Sequence, residues 1–276
     1  MMASLFDKIQ ESKTYIDSVV TNHAKVAVVL GTGLGDFAHS LTDTVEIPYS
    51  DIPHFPISTV ESHHGKLVFG FKSGVPVVVM AGRFHYYEGY SAAELTFPIR
   101  VLKALGVEKM IMTNAAGGIN PHFNEGDIVQ VTDHINFMPD HPLRGQNDGR
   151  LGLRFPDMLE AYDKTLIQKF QEIASDLDVP LRQGVYLGLQ GPSLETPAEY
   201  KMAHIMGADI LGMSTIPEVI VAKHAGIKVA VFSIVSNVCF PKSALTETTV
   251  EAVIATVMKS VGKVQLLLDA YFEELK

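Results

Sequence analysis

The 276-residue chain is 47% hydrophobic, long enough to bury roughly three quarters of its unfolded surface around one sizeable core. Acidic residues outnumber basic ones 31 to 22, a net charge of −9, which argues against a nucleic-acid backbone or an anionic membrane as partner because both need a basic face. The one cysteine, Cys239, excludes an intrachain disulfide and fits a reducing, cytoplasmic setting.

Leu5, Ile9, Ile16 and Val20 repeat at helical spacing in an opening helix. The start, MMASLFDKIQESK, has no apolar core of a secretory leader, and no run reaches 18 apolar residues, so no membrane span is expected. Apolar, β-branched runs follow at 25–30, 67–71, 75–80, 110–113, 128–132, 185–189, 210–213 and 229–235. They read as buried strands. Ser91-Ala-Ala-Glu94 and Thr196-Pro-Ala-Glu199 read as capping boxes that open helices, with Gly106 and Gly207 as their stops. A proline-free periodic stretch from about 248 to 275 is a closing helix, and the Pro/Gly/Asn/Asp-rich segment 133–157 is a long functional loop. Strands alternating with helices predict an α/β fold, organised as one domain over residues 1–276.

Six segments at strand ends carry the chemistry. The glycine loop Gly31-Thr32-Gly33-Leu34-Gly35-Asp36 follows the strand at 25–30, where backbone N–H groups can face an anion. A dinucleotide fingerprint needs a third glycine at the position of Asp36, so that rival is broken; a tight strand-to-helix turn is the plainer explanation. Arg83 and His85 follow the next apolar strand, two residues apart. In extended chain they share a face and can grip an oxyanion, unless Arg83 is a surface residue paired with Glu88. Asn114-Ala115-Ala116-Gly117-Gly118 removes side chains where a flat ligand or a packed helix approaches. Glu195, Gly212-Met213-Ser214-Thr215 and Ser236-Asn237 complete the set, Glu195 standing where capping alone would explain it. Metal chemistry has no ligand motif despite 11 histidines, and neither a nucleophile elbow nor a context for Cys239 supports a protein nucleophile. The sum suits a phosphate and a polar heterocycle held side by side.

In order and spacing, GTGLGD, STVESHHGKLVFG, AGRFHYYEGY, TNAAGG, DHINFMPDHPL, GPSLETPAEY, GMSTIPE and the strand-end Asn237 resemble the trimeric purine nucleoside phosphorylases. The resemblance implies an α/β domain around a distorted mixed sheet, a homotrimer, and phosphorolysis of 6-oxopurine nucleosides such as inosine and guanosine, giving free base and α-pentose 1-phosphate without metal or cofactor. It places phosphate at Thr32, His63, Arg83, His85, Ala115 and Ser214, with Glu88 orienting the histidine. Tyr87 and Met213 match ribose contacts; Ala116, Gly117, Leu194, Glu195 and Asn237 match the base site, Leu194 standing where the family usually has Phe. Phe155 matches an aromatic offered to the neighbouring subunit's site. His85, Glu195 and Asn237 are the expected catalytic residues. The family's usual 5′-hydroxyl histidine has no counterpart here; Glu247 or Val250 occupies that place. The rival readings are a 5′-methylthioadenosine phosphorylase, which typically carries Asp in place of Asn237, and a non-catalytic nucleotide-binding module.

Overall fold

The computed structural model describes residues 3–31, 33–57 and 65–276, so the expected phosphate ligands Thr32 and His63 lie outside the described residues. In chain order, α1 (Leu5–Val19) leads into β1 (Val26–Val29), the one-turn helix α2 (Asp36–His39) and β2 (Thr42–Pro48). Then come β3 (Lys66–Lys72), β4 (Val75–Ala81), α3 (Ala92–Leu95), α4 (Phe97–Ala104), β5 (Lys109–Gly118) and β6 (Ile128–Asn136). The second half holds α5 (Lys164–Asp176), β7 (Leu181–Gly188), α6 (Pro197–Ile205), β8 (Ile210–Gly212), α7 (Ile216–His224), β9 (Lys228–Val238) and α8 (Val250–Glu273).

The strands form one mixed sheet in the order β2-β3-β4-β1-β5-β8-β7-β6-β9, and a further pairing of β5 with β9 closes the last five into a barrel. The fold is thus the expected α/β type, with β5 as the seam between an open wing and the barrel. β1 runs parallel to both β4 and β5, and β5 parallel to β9. Their carboxyl ends therefore meet on one side, which is where ligands gather in such sheets. β8 runs antiparallel to β5, pairing Leu211 with Gly117, so the residues after it pass back along Ala115 and Asn114. α1, α4 and α7 pack on one face, α5 and α8 on the other.

Three details differ from the sequence expectation. The helix opened by Ser91 breaks at Thr96 into α3 and α4, because Pro98 has no N–H to donate to the turn before it. The expected loop at 133–157 starts later: residues 133–136 are still strand β6, paired in parallel with β7. β2, α5 and α7 are additional elements. β2 is an edge strand with one buried residue, Ile47, so it carries no apolar run. α7 is buried at every position except Lys223 and so shows no amphipathic period.

Candidate active site

Gly31, after β1, lies directly on β5. Gly31 N–H donates to Thr113 Oγ1 at 3.0 Å, and a Cβ on Gly31 would stand 2.6 Å from the Thr113 carbonyl and 2.8 Å from Asn114 Cα. Both are backbone atoms that cannot yield, so glycine is required there.

Arg83, beyond β4, is 1% exposed and is not the surface residue of the plainer explanation. Its Nε donates to Glu218 Oε1 at 3.3 Å, its Nη2 to Glu218 Oε2, and its Nη1 to the Thr113 carbonyl at 3.1 Å. Glu218, on the first turn of α7, is 2% exposed. Its Oε2 also accepts the backbone N–H of Thr215 at 3.1 Å. Glu88 serves His85 instead, accepting from its backbone N–H at 2.7 Å and from Nδ1 at 3.0 Å. That contact makes Nδ1 the protonated ring nitrogen. The imidazole stacks on Tyr87 with ring centroids 4.7 Å apart. Burial, with help from Glu88, pushes the Tyr87 hydroxyl up to about 12, so it stays a neutral donor.

Ser214 is presented by an unusual turn. Thr215 has φ 72° and ψ −53°, and Ile216 N–H donates to the Ser214 carbonyl at 2.8 Å, which together make a γ-turn of the strained, positive-φ kind. A β-branched residue there is a genuine outlier of the sort that collects at functional sites. Asn114 Nδ2 donates to Thr215 Oγ1 at 2.9 Å, and Thr215 Oγ1 lies 3.0 Å from Ser214 Oγ.

The other flank is built around Asn237. The β5–β9 register skips from Ala116↔Val235 to Gly117↔Asn237, so Ser236 is a bulge that re-aims the next side chain. Ser236 Oγ donates to Asn237 Oδ1 at 2.7 Å, while Nδ2 donates to Cys239 Sγ at 3.1 Å and Thr248 Oγ1 at 3.3 Å. Gly117 is opposite: a Cβ there would sit 2.6 Å from Cys239 Sγ. Burial pushes the Cys239 thiol up to about 11, with the Glu195 charge adding to it. Burial also raises the Glu195 carboxyl above its usual range, and its Oε2 is buried with no hydrogen-bond partner among the described residues. Met213 packs against Gly191, four residues before Glu195.

The structure therefore gathers Arg83, His85, Ala115, Ser214, Ala116, Gly117, Glu195, Met213 and Asn237 along the strand ends. Leu194 stands beside Glu195 but is half exposed. Phe155 is 86% exposed. It lines a cleft of about 470 Å³ with His134, Asn136, His141, Met158 and Ile220, which shares no residue with the gathered set. Its loop is tied down by Arg154, donating to the Leu143 and Gly145 carbonyls, and by His224 Nε2, 3.0 Å from the Leu153 carbonyl. Among the described residues, no group of three His, Cys, Asp or Glu is placed to hold a metal ion, and no helix is long and apolar enough to cross a membrane.

A model of the phosphorylase superfamily matches residues 25–273. Purine nucleoside phosphorylase 1 of Bacillus subtilis is 52% identical over 231 residues, 84% of this chain and 85% of its own. The chain belongs to the purine nucleoside phosphorylase family. Two solved structures agree in fold. A schistosome purine nucleoside phosphorylase in complex with hypoxanthine has a TM-score of 0.92 at 38% identity and covers 100% of both chains. The Schistosoma mansoni purine nucleoside phosphorylase in complex with adenosine has a TM-score of 0.91 at 38% identity and covers 97% of each.

Within this family member, Glu218 and Thr248 were not foreseen from the sequence, nor were the roles of Thr215 in the Ser214 turn and of Cys239 beside Asn237. Thr215-Ile-Pro-Glu218 repeats the capping-box spacing that marked α6, and that signal was there to be read. Cys239 and Thr248 have no such signal, because their relation to Asn237 comes from the bulge and from a loop closing over 11 residues.

Proposed function

We propose that the chain acts as one catalytic domain that phosphorolyses 6-oxopurine nucleosides, inosine and guanosine foremost, in the cytoplasm. The observation that carries this reading is the meeting, along one line of strand ends, of a buried Arg83–Glu218 fork with a base-side pair, Glu195 and Asn237. Thr32, His63, Arg83, His85, the Ala115 backbone N–H and Ser214 hold the phosphate below C1′ of the sugar. Tyr87 and Met213 contact the ribose. Ala116, Gly117 and Leu194 form the wall and floor of the base site.

An oxygen of the phosphate attacks C1′ as the C–N bond breaks, and the bonding pair leaves with the purine. Positive charge gathers on the sugar, as in other oxocarbenium-like transfers, and the bound dianion opposes it. Asn237 Nδ2 donates to N7 as the departing base becomes negative, in place of its weak contact to Cys239 or Thr248. The interaction strengthens toward the transition state, which is what accelerates the step. Ionised Glu195 accepts the N1–H that 6-oxopurines carry and the 2-amino group of guanine. No atom of the protein forms a covalent bond to substrate. Phe155 completes the nucleoside site of a neighbouring subunit, so the active form is a homotrimer.

The test is phosphate-dependent release of hypoxanthine from inosine, read by a coupled oxidation. Robust release with inosine and poor release of adenine from 5′-methylthioadenosine is the expected result. The reverse preference would move the chain to the methylthioadenosine branch, and no release from either would remove the catalytic reading.

A further inference from the structure

We infer that Glu218 is a positioning residue for phosphate, locking Arg83 and the Ser214 turn into one rigid unit. The inference rests on the proposed placing of phosphate at Arg83 and Ser214. Three donors from two distant segments converge on this carboxylate. Arg83 Nε and Nη2 arrive from the end of β4, and the Thr215 N–H from the turn before α7. Arg83 and Glu218 are 135 residues apart in sequence. The side-on edge of the guanidinium faces the carboxylate and Nη1 is held by the Thr113 carbonyl, so the plane of the group is fixed. The same carboxylate fixes the N–H of Thr215, the residue whose strained φ turns Ser214 away from the helix.

Stability alone does not account for this arrangement. A fully buried ion pair gains little over well-packed apolar residues of the same volume. Nor does simple attraction, since a carboxylate beside Arg83 cancels the charge that would draw phosphate in. What the pair supplies is orientation: two ligands from separate elements held at a fixed spacing before phosphate arrives.

The two views predict opposite signs. Glu218→Gln removes a negative charge beside the phosphate, so attraction alone predicts a lower phosphate KM. Positioning predicts a higher one, because the amide nitrogen meets at least one donor head-on. The expected result is a phosphate KM raised at least tenfold, with the inosine KM within about threefold and kcat reduced. In an Arg83→Ala background, Glu218→Gln should raise the phosphate KM by a smaller factor than in the native chain, since only its hold on the Thr215 N–H remains to be lost. Should Glu218→Gln fail to fold, Glu218→Asp keeps the charge but is one methylene too short to serve both segments, and the same selective rise is expected. A phosphate KM that is unchanged or lower in the folded variant, while Arg83→Ala raises it, overturns the inference and leaves the phosphate site standing. A phosphate KM unmoved by Arg83→Ala overturns the site and the inference together.

Discussion

At Glu195 the raised carboxyl turns base choice into a function of pH. The group is burdened by burial and leaves Oε2 without a hydrogen-bond partner among the described residues. Above its raised titration range it is ionised and matches the N1–H of inosine; adenosine instead sets a ring-nitrogen lone pair against the negative charge. Such a mismatch is worth factors on the order of 10⁴ in kcat/KM when fully buried, and less in this partly open site. Below that range the neutral carboxyl has an O–H to donate to adenine N1. The preference for inosine over adenosine should therefore shrink as pH falls through the Glu195 range and grow as it rises. Asn237→Asp should also narrow it. Steady-state kcat/KM for both nucleosides across pH reads this directly; a ratio independent of pH would take Glu195 away from N1.

Among the elements, the loop after β1 is held to β5 by an absence of side chain. Gly31→Ala would drive a methyl into the Thr113 carbonyl and Asn114 Cα. The loop must lift, at about 1–3 kcal/mol, so a lower Tm and a raised phosphate KM are expected; an unchanged Tm would show that a side chain is tolerated there and that glycine is not required. A second element, the segment between β9 and α8, bears on the sugar. Thr248 reaches Asn237, whereas Glu247 is exposed and Val250 is 70% exposed, so neither is held in place by packing as a buried hydrogen-bonding group would be. Inosine and 5′-deoxyinosine should then lie within about tenfold in kcat/KM, roughly 1.4 kcal/mol; a loss on the order of 10³ would show that Glu247 has closed onto the hydroxyl. These elements also mark what was legible beforehand. β1, β4, β5 and β9 are buried on both faces and read as plain apolar runs. β2 and α7 did not, because one is an edge with a single buried residue and the other has no exposed stripe. The site divides the same way. Residues at strand ends stood out because polar groups interrupt an apolar run there. The partner of Arg83 did not, because the pairing of β4 with α7 is made by the sheet order and not by neighbouring sequence.

For the whole molecule, the exposure of Phe155, in a cleft that shares no residue with the Arg83 cluster, has a consequence for assembly. An aromatic at 86% exposure on a tied-down loop fits a heterologous contact that closes into a ring. Three chains of 30.1 kDa should scatter as one particle of about 90 kDa. An active monomer would return Phe155 to its own subunit. In such a ring each complete site is assembled from two chains: one contributes Arg83, the next contributes Phe155. Arg83→Ala and Phe155→Ala damage different halves of that partnership. Any trimer containing both kinds of chain holds one undamaged site, wherever an Arg83-bearing subunit adjoins a Phe155-bearing one. Random re-association of equal amounts would thus restore about a quarter of the undamaged sites, so two poorly active preparations should become more active on being unfolded and refolded together than either is when refolded by itself.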